Sequence, residues 1–516
     1  MLIDSLKKRY AYKLISNSIT LVINIVVQVI VQRGLGPKAF GDFSYLTSFF
    51  QQVVGFFDIW TTPSFFIKLS QRPKEFEIVI FTLYVVGICS TLLFSSFLFI
   101  SPGSSFYNII WSGQEMYYLF LAAIWSIMVW ILQLFTSMSD AFGLTVKSEK
   151  GRVVQKIIGL FLILLLFLIN KLNITSYFYF HYITMFFLIG YYYWMIKKNG
   201  IPILKIWRIP IRTVENYARE FFEYSHPLFF IGFIGFSTGL FDRWLLQSFS
   251  GSVEQGFYGF SYQIGAVCFL FSGTMSPLIM REFSVAHSQI KHEQLVIIFR
   301  KYIPLLFSIV AFISCYISVQ SDKVVLLIGG LEYSDAAWSV AVMSFYPIHQ
   351  TYGQLSGSVF LATGQTKIYS KIGVFSALIG IPLTLILVSS PFQLGFNFGA
   401  AGLAIKMVLI QIISVNVQLY YNAKFLNLNF RKYITHQVIV ILCLTILSYT
   451  SVFISDNIFL LGENTLLSFL LSGIFYSLMV LVVIFLKPEI FAMSQKEISY
   501  IILFLKNSMS KKVNSR

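Results

Sequence analysis

Apolar stretches long enough to cross a bilayer recur along nearly the whole chain, from Ile15 to Phe504, separated by short polar intervals. A hydrocarbon core of about 30 Å takes about 20 helical residues to span. Counting on that basis predicts about fourteen transmembrane helices, at residues 12–33, 40–67, 76–100, 115–138, 153–170, 177–196, 225–248, 257–280, 302–321, 335–362, 372–392, 400–423, 434–455 and 464–486. The runs are continuous rather than alternating, and lipid tolerates only helices and closed barrels, so the expected fold is an all-α integral membrane bundle. The first span follows four charged residues within Met1–Arg9 and no small-residue cleavage site, and reads as a retained helix.

Composition agrees. Of 516 residues, 57% are hydrophobic and only 12% charged, against roughly 25% charged in soluble domains, which excludes a soluble globular fold. The net charge of +16 invites a nucleic-acid reading until the 38 basic residues are placed on the map. Segments on the N-terminal side of the membrane hold 32 of them, including six between Lys197 and Arg219 and six after Leu486, whereas the opposite loops hold only Arg33, Lys38, Lys171 and Lys323. The positive-inside rule therefore predicts cytoplasmic N- and C-termini and an even number of spans. Basic charge is topology here, and nucleic-acid binding is not expected.

The four cysteines lie in apolar spans and read as packing residues. The six histidines show no metal spacing, and there is no G-x-x-x-x-G-K or H-E-x-x-H motif. No cofactor or metal is expected, and an ATP-driven pump is excluded for this chain alone.

Two internal matches suggest duplication. Phe40-Gly41-Asp42-Phe43-Ser44-Tyr45 and Phe257-Tyr258-Gly259-Phe260-Ser261-Tyr262 share F-x-x-F-S-Y at an offset of 217 residues, and each follows a short outer loop. Ala141-Phe142-Gly143-Leu144-Thr145 matches Ala362-Thr363-Gly364-Gln365-Thr366 at an offset of 221. A six-span unit repeated in one orientation accounts for both. The expected organisation is an N-terminal six-helix lobe (1–196), a basic cytoplasmic linker (197–224), a C-terminal six-helix lobe (225–424), and two additional helices with a basic tail (425–516).

With these motifs, the loop Gly34-Leu35-Gly36-Pro37-Lys38-Ala39 and its counterpart before Tyr258, the chain resembles the polysaccharide-lipid flippases. These are the O-antigen, Wzx-like exporters of the multidrug, oligosaccharidyl-lipid and polysaccharide (MOP) superfamily. The resemblance implies transfer of an undecaprenyl-diphosphate-linked oligosaccharide to the outer leaflet of a bacterial cytoplasmic (inner) membrane. It implies alternating access between two lobes without ATP hydrolysis, and polysaccharide polymerase and chain-length proteins as partners alongside membrane lipids.

The residues themselves nominate a polar path. Asn17, Asn24, Gln28 and Gln32, with Thr20 near the same line, form one stripe on the first span. Such a stripe faces either a neighbouring helix, as interhelical glue, or a sugar-carrying cavity. Asp58, Asp242, Arg243 and Lys406 are ionisable residues inside spans. At that depth they point to function, with a structural ion pair or snorkelling as the alternative. Arg243 is the leading contact for a diphosphate because its fork binds oxygens in bidentate fashion, and Lys406 is second. Asp242 and Arg243, being adjacent, point about 100° apart on a helix and cannot face one partner squarely. Lys68, Asp140, Lys147, Arg152, Arg281 and Lys367 lie at the cytoplasmic mouths, where they serve either substrate capture or topology.

Two other functions compete. A membrane-embedded glycosyltransferase, polymerase or ligase of lipid-linked sugars would need longer outer loops than the roughly 15 residues available here. A cation-coupled, multidrug-type exporter of small molecules would ordinarily have twelve spans.

Overall fold

The computed structural model describes residues 6–58, 61–200, 209–391, 395–459, 462–497 and 499, and among these there are helices and turns but no strand. Lys205, Arg208 and the tail beyond residue 499 lie outside the described residues. Packing divides the chain into two units, one running up to Gly259 and including Gly380–Leu403, the other comprising Phe260–Ile379 and the chain from Ala404 onward.

Unit one contains α1 (Leu6–Phe57), α2 (Thr61–Gln71), α3 (Glu77–Ser96), α4 (Ser105–Ile110), α5 (Met116–Ala141), α6 (Thr145–Leu168), α7 (Ile174–Lys198) and most of α8 (Ile211–Val267). Unit two continues with α9 (Leu270–Ser288), α10 (His292–Val319), α11 (Ser321–Ile328), α12 (Ala337–Met343) and α13 (Tyr346–Ala362). Then come α14 (Thr366–Val388), α15 (Gly399–Phe425), α16 (Phe430–Phe453) and α17 (Thr465–Leu486).

Among the described residues, nine helical stretches are long and apolar enough to cross a membrane. One of them, Ile15–Phe57, carries two expected spans. Every one of the remaining expected spans coincides with a helix. Outside these nine stretches are α7, dense in tyrosine, α8, α9, and α13, which has only 17 residues.

The two long helices each fold over at one glycine. Gly36 in α1 has φ 71° and ψ 171°, and Gly251 in α8 has φ 76° and ψ −172°. This is a conformation that glycine reaches without a Cβ penalty. Pro37, just after the first, has its φ preset for starting the second limb. The kinks lie 215 residues apart, and the contacts across them keep that register. Gly41 abuts the Ser252 carbonyl, Gly256 abuts the Pro37 carbonyl, and Gly259 meets Ser44. The F-x-x-F-S-Y match at an offset of 217 is thus displaced by two residues from the register of the backbone. The second match holds as aligned. Gly143 and Gly364 have φ 74° and 73°. In both turns the following residue donates five residues back, Leu144 to the Ser139 carbonyl and Gln365 to the Phe360 carbonyl. This closes the helix C-terminus by a Schellman-type bond.

Three expected spans are interrupted. Span two breaks at Asp58, whose carboxylate accepts from the Thr62 amide (3.0 Å), the Thr62 hydroxyl (2.8 Å) and the Trp130 indole (2.8 Å), so that it caps α2. Span eight breaks at Cys268 and Phe269, and span ten at Ser344 and Phe345. The expected linker is helical from Ile211 on, as the start of α8.

In unit two, α10 packs on α9, α13 and α16 around Phe299, Ile303, Phe307, Val310 and Tyr352. The buried face of α17 is Ser468, Ser472, Tyr476 and Val480, at steps of four, while its leucines are exposed. In lipid an apolar face gains nothing from burial, so small and hydrogen-bonding residues make the helix contact. Tyr476 donates to the Phe312 carbonyl at 2.9 Å, and Gln320 to Ser472 at 2.6 Å. Lys323 pairs with Asp456 at 2.6 Å.

Candidate functional site

Within unit one, α6 lies along α1 and runs in the same direction. Gly34 faces Phe167 and Leu172 near one end, and Arg152 donates to the Asn17 amide oxygen near the other. The face of α6 that carries Arg152 also carries Glu149 and Lys156, because spacings of three and four residues stack on a helix. Glu149 is 4% exposed and pairs with Arg152 at 2.7 Å, an ion contact rather than an aligned hydrogen bond. Lys156 lies in electrostatic reach of both Arg152 and His181 of α7. Two cations against one carboxylate leave this seam with positive excess.

The stripe on α1 is divided between roles. Thr20 is buried and donates to the Asn17 carbonyl at 3.1 Å, Gln28 is half-buried, and Asn24 is exposed. Gln32 is fully buried, and neither its amide nitrogen nor its oxygen has a hydrogen-bond partner. The His181 ring stacks on Phe43 (5.3 Å, 11° between planes) and stands edge-on to Tyr177 and Trp125. Its Nε2 and the Trp125 indole nitrogen are likewise buried without a partner. Each such orphan costs about 1–3 kcal/mol. The α1, α5, α6 and α7 group therefore holds unsatisfied donors and acceptors, aromatic faces and excess positive charge, which suit hydroxyls, sugar rings and a phosphate in turn.

Arg243 lies elsewhere in unit one and is engaged by its own helix. Because α8 folds back at Gly251, residues 12 and 15 positions on return alongside. The guanidinium donates to Gln255 Oε1 at 3.0 Å and lies 4.4 Å over the Tyr258 ring. Asp242 is buried and accepts from Thr384 at 2.7 Å, so the two adjacent charges do face different neighbours. The kink nearby is tied by a polar set absent from the sequence reading, in which Asp42 accepts from Gln114 (2.6 Å) and from Ser252. Glu254 caps the start of α15 through the Ala400 amide at 2.6 Å.

The mouth residues of unit one are engaged. Lys68 and Arg72 both contact Glu220, at 3.4 and 2.5 Å, Asp140 pairs with Lys13 at 3.7 Å, and Lys147 donates to Asn199 at 2.8 Å. The Arg72 guanidinium holds the Glu220 carboxyl below the ordinary carboxylate range. In unit two, Arg281 and Lys367 are exposed and Lys406 is buried within α15. The sequence reading passed over Glu149, Lys156 and His181 because the basic residues there were absorbed into the topology argument. The signal was present in the i, i+3, i+7 spacing of Glu149, Arg152 and Lys156.

The fold with its charged seam defines a polytopic helical membrane protein. The polysaccharide biosynthesis protein family matches residues 6–281, more than half of the chain, and the chain belongs to that family. It is 23% identical over 216 residues to the probable low-salt glycan biosynthesis flippase Agl15 of Haloferax volcanii, a stretch covering 42% of this chain and 44% of that relative. The chain thus spans under half the length of the curated relative it matches. Among solved structures, an inward-facing MATE multidrug resistance transporter of the MOP superfamily superposes with a TM-score of 0.63 at 12% identity, covering 79% of this chain and 94% of that one. The lipid II flippase MurJ superposes with a TM-score of 0.61 at 15% identity, covering 91% and 99%. The fold is that of these MOP-superfamily structures.

Proposed function

We propose that this protein flips an undecaprenyl-diphosphate-linked oligosaccharide from the cytoplasmic to the outer leaflet, for O-antigen, capsule or exopolysaccharide assembly. The observation that carries the reading is the seam of half-buried Arg152, Lys156 and Gln28 with buried Gln32, in the part of the chain that the family match covers. A glycan with a phosphate-bearing head needs that combination of hydrogen-bonding amides and cations, shielded from lipid. The lipid II flippase and the glycan biosynthesis flippase among its relatives support a lipid-linked cargo.

In this reading spans one to six and seven to twelve act as two lobes in alternating access, with both termini cytoplasmic. Arg243, Asp242, Asp58 and Lys406 serve as further cavity residues. Arg281 and Lys367 receive cargo at the cytoplasmic face.

The test is reconstitution into liposomes with a fluorescent lipid-linked oligosaccharide. Wild-type protein should expose the inner-leaflet half of the label to an impermeant quencher. Transport unchanged by Lys156→Ala would remove the seam from the path, and no transport at all would remove the function.

A further inference from the structure

A second site stands apart from that path. In unit two, a cavity of about 1190 Å³ lies between the first turns of α10, the first turns of α16 and the turn that follows α17. Ile297 and Ile439 line it and are 62% and 44% exposed, on two helices that are long and apolar enough to span the membrane. An apolar wall therefore continues from the cavity onto the lipid-facing surface.

The other wall is polar. Arg300 and Lys432 line it, both are exposed, and neither has an ion pair among the described residues. The start of α16 opens here, with the Asn429 side chain accepting from the Arg431 amide at 3.0 Å and no acidic residue in the first turn. A helix N-terminus free of acids adds partial positive charge. His436 also lines the cavity, with its ring against the Ile490 backbone. Of the two carboxylates present, Glu497 is already held by Lys301 at 2.6 Å and by the Ser494 amide at 3.0 Å, which leaves Glu489.

Unpaired cations and a helix start select an anion. A wall of aliphatic side chains opening on the hydrocarbon selects an amphiphile over a soluble ion. We propose that this cavity holds an anionic phospholipid. Its phosphate sits between Arg300, Lys432 and the first turn of α16, with its chains along Ile297 and Ile439. The lipid would clamp α10, α16 and the turn after α17 together from the basic face of the membrane, and the site is independent of the cargo seam.

The experiment is native mass spectrometry of the full-length protein in nonionic detergent, offered phosphatidylglycerol and phosphatidylcholine of equal chain length at equal concentration. Wild type should retain phosphatidylglycerol by about tenfold or more, the change that one charge-assisted hydrogen bond produces. Arg300→Gln with Lys432→Gln should bring the two lipids within about twofold of each other, while the charge-matched pair Lys371→Gln with Lys424→Gln, exposed residues that do not line the cavity, keeps the preference. As a measurement independent of variants, wild type should melt at higher temperature in nanodiscs containing phosphatidylglycerol than in phosphatidylcholine alone. Equal retention of both lipids, equal loss in the control pair, or no difference in melting overturns the proposal. Displacement of phosphatidylglycerol by millimolar inorganic phosphate also overturns it, in favour of a soluble anion.

Discussion

Gly41 lies against the backbone carbonyl of Ser252, and Gly256 stands in the same relation to Pro37, its counterpart across the two kinks. The contact is reciprocal because the kinked segments cross about a local two-fold relation at an offset of 215 residues. A β-carbon at either glycine would overlap a carbonyl that cannot move without its helix. Gly41→Ala and Gly256→Ala should each destabilise by on the order of 3 kcal/mol. The double variant should lose less than the sum, since both changes open one contact. Thermal melting of the purified proteins reads this, and independent, additive losses would contradict a shared contact.

Gln32 separates stability from transport. Its buried amide has no partner, so Gln32→Leu should raise stability by about 1–3 kcal/mol if the neighbouring packing is kept. If the amide serves the cargo, the same variant should lose transport in the liposome assay. A variant both less stable and fully active would mark the amide as structural.

Arg243→Ala should abolish polysaccharide export at normal protein levels, and Arg243→Lys should retain part of it, because lysine keeps the charge but loses the fork. The structure adds a positioning test, since Gln255 holds the guanidinium at 3.0 Å. Gln255→Leu should reduce export while leaving the amount of protein in the membrane unchanged. Normal export by Arg243→Ala would return Arg243 to a purely structural role.

The Arg72 and Glu220 pair gives a pH dependence. The Glu220 carboxyl is held below its ordinary value by the Arg72 hydrogen bond and, less, by Lys68. Its contribution is therefore present above the unfolded carboxylate range and lost as pH falls through the lower, folded value. Protection from hydrogen exchange at the start of α8, corrected for the intrinsic pH dependence of exchange, should fall on acidification in wild type and be low at all pH in Glu220→Gln. Both partners are about one-third exposed, so the effect should shrink with added salt.

Orientation is open to cysteine labelling. In a background lacking the four native cysteines, Lys171→Cys and Glu463→Cys should react with an impermeant maleimide on intact cells. Lys74→Cys should react only after permeabilisation. Reaction of Lys74→Cys on intact cells would invert the map.

Length and hydropathy placed the helices, because hydrocarbon thickness and the cost of polar groups in lipid act on each segment separately. Those constraints are local, and the sequence alone carried them, together with the Gly143 and Gly364 turns. What needed the tertiary structure was every feature set by how helices cross. The kinks at Gly36 and Gly251 repeat a backbone angle that no side chain records, so the best letter match fell two residues out of register. Arg243 meets Gln255 and Tyr258 only because α8 reverses between them. Asp58 reads as a charge buried in a span, and only the break before Thr61 turns it into a cap. The interior seam is the same case, since the α1 stripe was visible by its spacing while its partners on α6 were counted as topology. Periodicity tells which residues share a face, and the packing of one helix on another decides what that face meets.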